Sequence, residues 1–172
     1  MKPSEKGLSV REMVLFGILG AMTFGAKYVM SMLPNIEPVS LCVMLYAVVF
    51  GKKWVYPVYL YVVMEILFYG LGIWNLNYLY TWAVLAIAAS LLRNMEGSFS
   101  WALLSGVFGL AFGALCGIVD VFIGGFSYAV AKWISGIPFD ISHCIGNFAM
   151  ALILFRPLRT LLENQYRKMN RK

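Results

Sequence analysis

The chain has 172 residues, of which 61% are hydrophobic and 13% are charged, and its formal net charge is +6. A soluble domain carries roughly 25% charged residues, and a protein of this size cannot bury so much apolar surface away from water. The composition therefore excludes a soluble enzyme, a disulfide-stapled secreted module and a disordered chain, and it predicts a protein that faces lipid.

Six apolar spans follow one another along the chain, separated by turn-forming or charged residues. Pro34 ends the first, Gly51-Lys52-Lys53 the second and Gly124-Gly125 the fifth. This pattern predicts an all-α integral membrane protein, a six-transmembrane-helix bundle that forms a single domain over residues 1–172 and ends in a basic cytoplasmic tail over 156–172. The predicted spans are 13–33, 38–50, 54–71, 74–92, 99–123 and 138–155.

The basic residues predict the orientation of the bundle. With six spans both termini lie on one side, and an excess of lysine and arginine marks the cytoplasmic side of a membrane. Cytoplasmic termini place all but two of the 14 basic residues inside, the exceptions being Lys27 and Lys132. We therefore expect a multi-pass protein of the cell membrane with its N- and C-termini in the cytoplasm. The basic residues placed inside are Lys2, Lys6, Arg11, Lys52, Lys53, Arg93, Arg156, Arg159, Arg167, Lys168, Arg171 and Lys172.

The second span is too short to cross a bilayer alone. A helix over 38–50 reaches about 20 Å, whereas the hydrocarbon core is about 30 Å thick. The preceding loop, Pro34-Asn35-Ile36-Glu37-Pro38, must then lie below the outer surface. Irregular backbone at that depth is tolerated only when it is buried in protein or lines a wet cavity. We expect this loop to form the wall of an outward-facing pocket.

Polar residues gather in the outer half of the predicted bundle. Asp140, His143 and Asn147 are spaced i, i+3, i+7 on one face of the sixth span, and the fourth span carries amides among tyrosines and tryptophans. Flat aromatic walls with a few amide and carboxylate groups suit a small polar heterocycle. The predicted substrate-binding residues are Asn35, Glu37, Asn77, Tyr78, Trp82, Asp120, Asp140, His143 and Asn147.

Simpler structural roles exist for several of these residues. Asp140 could start a helix after Pro138, where a carboxylate favours the positive end of the helix dipole. His143 could be a core histidine hydrogen-bonded to Asp140 rather than a ligand contact. Glu65 could pair with Lys27, because both lie in the outer half of the bundle, or it could line the pocket.

Small residues recur every fourth position on two spans. Gly17, Ala21 and Gly25 form such a strip on the first span, and glycines do so over 109–117 on the fifth. Strips of this kind let helices approach closely. We interpret the fifth-span series as packing within the chain. The first span lies at the edge of the bundle, so its strip is predicted to meet another protein.

Several chemistries have no motif in this sequence. It contains no GxxxxGK[ST] phosphate loop, no HExxH and no GxSxG, so we expect no ATP hydrolysis and no catalytic residues. A single histidine cannot build a histidine-rich metal site, and we predict no metal and no cofactor. The basic residues flank apolar spans rather than forming a stripe among aromatics, which argues against nucleic acid as a partner.

Together these features resemble the substrate-binding S component of energy-coupling factor (ECF) vitamin transporters over nearly the whole chain. The resemblance rests on six short helices, the strip at Gly17, Ala21 and Gly25, the 34–38 loop, the glycine-rich fifth span and the segment 136–140 that leads into the sixth. The family signature is A-x-x-x-A on the first helix, and here glycines replace two of the alanines.

This resemblance implies a function and a set of partners. An S component captures a vitamin-like substrate from outside and works in the lipid bilayer with a membrane scaffold subunit and two ATPase subunits. It is thought to topple in the membrane to carry the ligand inward. The strip on the first helix would be the docking surface for these partners. The vitamin stays open among riboflavin, pyridoxine, a thiamin precursor, cobalamin and a purine-like base.

Two alternatives come from other classes of protein. The first is a small intramembrane enzyme that uses Asp120, Asp140 and His143 as acid and base groups. The second is a non-catalytic membrane assembly subunit. Ligand binding by the purified chain would separate transport from assembly, and turnover without ATPase partners would favour the enzyme.

Overall fold

The computed structural model describes residues 7–32 and 36–171, and every regular element in that part of the chain is a helix. Helix Ser98–Asn170 is interrupted at Gly125, whose φ of +81° is a conformation that glycine adopts without steric cost. We label its two parts α5 (98–124) and α6 (126–170), so the predicted break at Gly124-Gly125 is confirmed. The other helices are α1 (Val10–Met30), α2 (Val39–Phe50), α3 (Val55–Tyr69) and α4 (Ile73–Leu91), with a 3₁₀ turn at Gly51–Trp54 between α2 and α3.

Aromatic contacts show the relative directions of the first three helices. Phe16, near the start of α1, touches Phe50 at the end of α2 and stacks on Tyr56 at the start of α3. Near the other end of α1, Tyr28 packs edge-on against Phe68 at the end of α3. Helices α1 and α3 therefore run parallel, and α2 runs against both.

Helix α2 forms the centre of the bundle. Nine of its 12 residues are buried, including Val39 and Met44, which are fully enclosed. Twelve residues of helix reach only about 18 Å. The expectation of a short second helix is thus confirmed. Because most of its residues are buried, other parts of the chain surround this helix.

The start of α1 and the end of α6 meet at one end of the bundle. Glu12 forms a capping box with Ser9, bonds Lys53 from the 3₁₀ turn, and accepts a hydrogen bond of 2.7 Å from the hydroxyl of Tyr166. The Tyr166 ring also packs edge-on against Phe50. We call this group, Ser9, Glu12, Lys53 and Tyr166, the terminal clasp. It holds α1, the 3₁₀ turn and α6 together at one carboxylate.

The outside of the bundle is apolar. Leu67, Phe122 and Ile153 are among many large hydrophobic side chains left more than two-thirds exposed, as a surface that faces lipid requires. Within the described residues, three helical stretches are long and apolar enough to cross a membrane. They are Val10–Met30, Val39–Tyr69 and Ser98–Asn170, and the last two each contain a break between helices.

Helix α6 is longer than the predicted span 138–155. It begins at residue 126 and continues to Asn170, so the basic tail is helical and Pro138 lies inside the helix. The alternative in which Pro138 and Asp140 start a helix is therefore wrong. Proline favours a first helical turn, but in a membrane neighbouring groups can satisfy the backbone that it leaves unpaired. The proline leaves the carbonyl of Ile134 without its usual N–H donor. The hydroxyl of Ser142 donates to the carbonyl of Pro138 itself at 3.1 Å, a separate bond within the same helix.

The glycines of α5 allow the close approach of α6, as expected for packing within the chain. A Cβ atom at Gly109 would lie 2.8 Å from the backbone of His143, and one at Gly113 would meet the Asp140 carboxylate. At Gly117, by contrast, nothing lies within 4 Å of an added Cβ. The first two glycines of the series therefore set the distance between α5 and α6, and Gly117 does not.

This difference predicts that a glycine-to-alanine substitution lowers the stability of the protein at Gly109 but not at Gly117. Gly109→Ala should destabilise the protein by about 1–3 kcal/mol, because overpacking forces the backbones apart. Gly117→Ala should be neutral or slightly stabilising, because alanine is the better helix former. Thermal unfolding in detergent measures both. A Gly109→Ala protein as stable as the Gly117→Ala protein would contradict the close packing of α5 on α6.

Candidate functional site

An ammonium group lies among tyrosines and carboxylates in the interior of the bundle. Lys27 of α1 donates hydrogen bonds to Glu65 at 3.1 Å and to the hydroxyls of Tyr61 and Tyr78 at 3.2 and 3.0 Å. The carboxylate of Glu37 lies farther away, at 3.7 Å from the Lys27 nitrogen. Glu65 therefore pairs with Lys27, one of the two roles open from the sequence, and this pair joins α1 to α3 and α4.

Aromatic rings form one wall beside this ammonium. The rings of Tyr61 and Tyr78 stack with their centroids 6.3 Å apart, and Trp82 lies 5.4 Å from Tyr78. Phe108 and Phe112 of α5 contact the other side of Trp82 at 5.9 and 5.6 Å. Trp82 is fully enclosed. Tyr78 and Trp82, the aromatic ligand contacts predicted on the fourth span, thus lie inside the bundle, whereas Trp74 is exposed.

Helix α6 contributes polar groups to the same region. The buried ring of His143 packs edge-on against Phe112 at 5.0 Å. One turn along, the Asn147 side chain donates to the hydroxyl of Ser40 at 3.0 Å and to the backbone carbonyl of Ser105 at 3.3 Å. Asn147 therefore connects α6 to the start of α2 and to α5.

The segment before α2 packs against α6 beside these residues. A Cβ atom at Gly146 would lie 3.1 Å from the side chain of Ile36, so the backbone of α6 and the loop are in close contact. Glu37 follows Ile36 and faces Lys27, and Pro38 is buried. Residues 36–38 of the loop therefore lie against the interior groups, and the predicted outward-facing pocket stays a prediction. Asn35, a predicted ligand contact, lies outside the described residues.

Several buried polar atoms of this region have no hydrogen-bond partner among the described residues. We define the central polar cluster as Lys27, Glu37, Tyr61, Glu65, Tyr78, Trp82, His143 and Asn147. Unpartnered atoms belong to four of its members: Glu65 Oε1, Trp82 Nε1, His143 Nε2 and Asn147 Oδ1. Native proteins leave few such atoms, because each costs about 1–3 kcal/mol. Their concentration in one cluster indicates a place where a small polar molecule would complete the hydrogen bonding.

Two predicted contacts have partners elsewhere in the chain. Asn77 accepts a hydrogen bond from the Tyr80 hydroxyl at 2.9 Å, and Asp120 pairs with Lys132 at 2.6 Å. Both side chains are buried. These interactions connect α4 to its own next turn and α5 to the first part of α6, outside the central polar cluster.

Asp140 has a different environment from that predicted by its spacing with His143. Its Oδ1 accepts a hydrogen bond of 3.0 Å from the backbone N–H of Gly113, and its Oδ2 has no partner among the described residues. The structure contains no hydrogen bond between His143 and Asp140, so that alternative is not realised. Asp140 lies on the cluster's face of α6 but is anchored to α5.

Sequence reasoning missed three groups that shape the site. Lys27 was considered only as a partner of Glu65, although an ionisable residue inside an apolar span is itself a signal of function. Tyr61 lies in a span with several tyrosines, and nothing local distinguishes it. Ser40, at the start of α2, is likewise recognised only from its hydrogen bond with Asn147, which lies 107 residues later in the sequence.

The described residues offer no group of three or more histidines, cysteines, aspartates or glutamates that could hold a metal ion. Cys42, Cys116 and Cys144 are free thiols. The site is therefore organised around an ammonium, carboxylates and aromatic rings.

The strip on α1 lies on a different surface. Ala21 is exposed, and an added Cβ at Gly17 or Gly25 would meet nothing within 4 Å. Gly20, next to the strip, faces inward, where an added Cβ would lie 3.0 Å from Leu60 of α3. Within the described part of the chain, the strip is thus uncovered and its neighbour is packed.

Comparison with family models, curated proteins and solved structures found no match for this chain. A functional conclusion must therefore rest on the chemistry of the central polar cluster and on the surface of the bundle.

Proposed function

We propose that this chain is the substrate-binding S component of an ECF-type ABC importer, which captures a vitamin or related micronutrient from outside. The observation that carries the proposal is the central polar cluster, in which buried donors and acceptors without partners adjoin aromatic rings. A ligand pocket has this composition: apolar and aromatic walls with a few placed polar groups. Residues from all six helices surround it, as expected for a bundle built to enclose a ligand.

The resemblance to S components implies a membrane scaffold subunit and two ATPase subunits as the partners of this chain. The absence of a phosphate loop from the sequence fits an energy source in those partners. The uncovered strip of Gly17, Ala21 and Gly25 offers the scaffold a surface for close helix contact.

In this proposal all six helices cross the membrane and both termini are cytoplasmic. The terminal clasp supports termini on one side, because it joins α1 to the end of α6. The predominance of basic residues at that end of the bundle supports the cytoplasm as that side.

Labelling of single cysteines tests this orientation in intact cells. After removal of the three native cysteines, Ser127→Cys should react with a membrane-impermeant maleimide, and Glu96→Cys should not, although both positions are exposed. Glu96→Cys should react once the membrane is permeabilised. Reaction at Glu96→Cys in intact cells would reverse the assignment.

The alternative of an intramembrane enzyme gains less support. Asp120 pairs with Lys132, Asp140 is held by Gly113, and His143 bonds neither acid. General acid–base catalysis requires such groups within hydrogen-bond reach of a common reacting atom. A non-catalytic assembly subunit would not need the unpartnered atoms of the central polar cluster.

The decisive experiment is mass spectrometry of small molecules that co-purify with the chain. The protein expressed in cells grown on rich medium should carry a small heterocycle, enriched over membranes that lack it. The same compound should bind the emptied protein in detergent. Protein that carries and binds no small molecule would favour the assembly role instead.

Substitution of His143 locates the site of that binding. His143→Ala should weaken affinity for the co-purifying compound by about tenfold or more, because the lost interaction is worth at least about 1.4 kcal/mol. His143 makes no hydrogen bond within the described chain, so its loss disturbs the fold less than that of Asn147. Titration calorimetry measures the affinity.

Ser142→Ala is the matched control for His143→Ala. Ser142 is the preceding residue, it is exposed, and its hydroxyl bonds only the carbonyl of Pro138 among the described residues. Its substitution should leave the affinity intact. Equal affinities of folded His143→Ala and Ser142→Ala proteins would move the binding site away from the central polar cluster.

A further inference from the structure

The central polar cluster contains two carboxylates and one ammonium. Lys27 uses its three hydrogens on Glu65, Tyr61 and Tyr78. Glu37 lies 3.7 Å from the same nitrogen, which is beyond hydrogen-bond distance. Glu65 bonds Lys27 through Oε2, and its other oxygen is buried without a partner. The Lys27 ammonium is therefore the one positive charge beside the carboxylates of Glu65 and Glu37 among the described residues, and both carboxylates can still accept hydrogen bonds.

No other described cation balances this negative charge. Lys132 pairs with Asp120, and Lys53 pairs with Glu12 in the terminal clasp. His143 is the remaining titratable side chain of the cluster, apart from its tyrosines. Glu65 is 2% exposed. An unpaired charge in an apolar environment is costly, and a buried carboxyl group binds a proton instead; burial accordingly raises the pKa of Glu37. A ligand that supplies a positive charge can take the place of that proton.

The aromatic wall fits the same kind of ligand. The Lys27 nitrogen already lies 4.8 Å from the centre of the Tyr78 ring and 5.7 Å from that of Tyr61. Aromatic faces attract cations, and most strongly those of tryptophan. Trp82 presents a further ring beside Tyr78, and its Nε1 has no partner among the described residues. Planar rings also stack favourably on such side chains.

We infer that the ligand is a planar aromatic heterocycle that carries a positive charge, either fixed on the ring or on a protonated amine. This inference rests on the proposed function and narrows its substrate class. The positive group lies against Glu65 and Glu37, and the ring lies against Tyr78 and Trp82. The hydroxyls of Tyr61 and Tyr78 accept from Lys27, which leaves each a hydrogen to donate to the ligand.

Pairs of probes that differ in charge test the inference on the purified full-length chain in detergent. The cationic members are N1-methylnicotinamide and pyridoxamine, and the matched uncharged compounds are nicotinamide and pyridoxine. We expect the tightest binder to be a cation, with its affinity at least about tenfold above that of its uncharged counterpart. Thermal shift followed by titration calorimetry gives the comparison.

The outcomes separate the charge of the ligand from the proposed function. If an uncharged probe binds as tightly as its cationic counterpart, the inference that the ligand is positively charged is wrong. The proposed function as a substrate-binding subunit would still stand. Binding of none of the four probes counts against the inference, whereas the proposed function is decided separately by the small molecule that co-purifies with the chain.

A carboxylate variant supplies a second, independent test. Glu37→Gln should weaken binding of the best cationic probe by about tenfold or more while leaving its uncharged counterpart unaffected. Glu37 lies outside the helices, and among the described residues its carboxylate has only the long contact with Lys27, so we expect this change to spare the fold. Glu163→Gln, at a partly exposed ion pair with Arg159, is the control and should alter neither affinity. Equal loss for both members of a pair overturns the charge argument.

Discussion

Ala21→Trp is expected to abolish substrate uptake and co-purification with the scaffold and ATPase subunits, while ligand binding by the isolated chain stays nearly intact. Ala21 lies at the middle of the uncovered strip on α1. A large side chain there would hold a partner helix away and forfeit dispersion contacts, which fall off steeply with distance. Gly17→Leu should have the same effect, because no described residue has an atom within 4 Å of an added Cβ.

Gly20→Leu is the matched control, one position from Ala21 on the same helix. An added Cβ at Gly20 lies 3.0 Å from Leu60 and from the carbonyl of Pro57, so leucine there should lower stability and binding together. Pull-down of the partners, uptake assays and calorimetry on the three variants distinguish the outcomes. Ala21→Trp protein that assembles and transports normally would show that partners do not dock on this strip.

Lys27→Met is expected to cause the largest loss of stability of any single change in the central polar cluster. It removes the ammonium and leaves Glu65 and Glu37 without a positive partner. Breaking a buried ion pair from one side costs about 3–5 kcal/mol, because an uncompensated charge remains. Tyr61 and Tyr78 also lose the group to which their hydroxyls are bonded. Thermal or denaturant unfolding in detergent should show the loss directly.

The double variant Lys27→Met, Glu65→Gln should recover part of that stability. It removes the stranded carboxylate of Glu65, whereas the single variant keeps it. A double variant no more stable than Lys27→Met would mean that the lysine acts through packing rather than through its charge. In that case the charge argument for the ligand would lose its basis.

The presence of the helices was easier to predict from this sequence than the residues at which they begin and end. Apolar runs bounded by Gly51 and by Gly124-Gly125 located α2, α3 and α5 to within a few residues, because charge and glycine interrupt both the hydropathy and the helix. Helix α6 was predicted too short at both ends. Its continuation to Asn170 packs on the bundle through Leu158, Leu162 and Tyr166, tertiary contacts that the search for apolar spans did not register.

The candidate site was predictable where one helix carries it. The spacing of His143 and Asn147 placed both on one face, and the structure buries both within the central polar cluster. The position of Lys27 between α3 and α4 depends on its contacts with Glu65 and Tyr78, which lie 38 and 51 residues later in the sequence. Such contacts arise from the packing of the whole bundle, so no local pattern indicates them.

The terminal clasp has a consequence for the order in which the protein is made. Chains emerge from the ribosome N-terminus first, so at that stage only Ser9, of the clasp residues, is available to the carboxylate of Glu12. Lys53 follows after α2, but Tyr166 lies 154 positions later in the chain. Throughout synthesis of α3, α4 and α5, one partner of Glu12 does not yet exist, and the facing edge of Phe50 stays uncovered. The contacts of Tyr166 with Glu12 and Phe50 are therefore among the last to form, although Glu12 is among the first residues made. The clasp stays incomplete until the last turns of α6 have been synthesised.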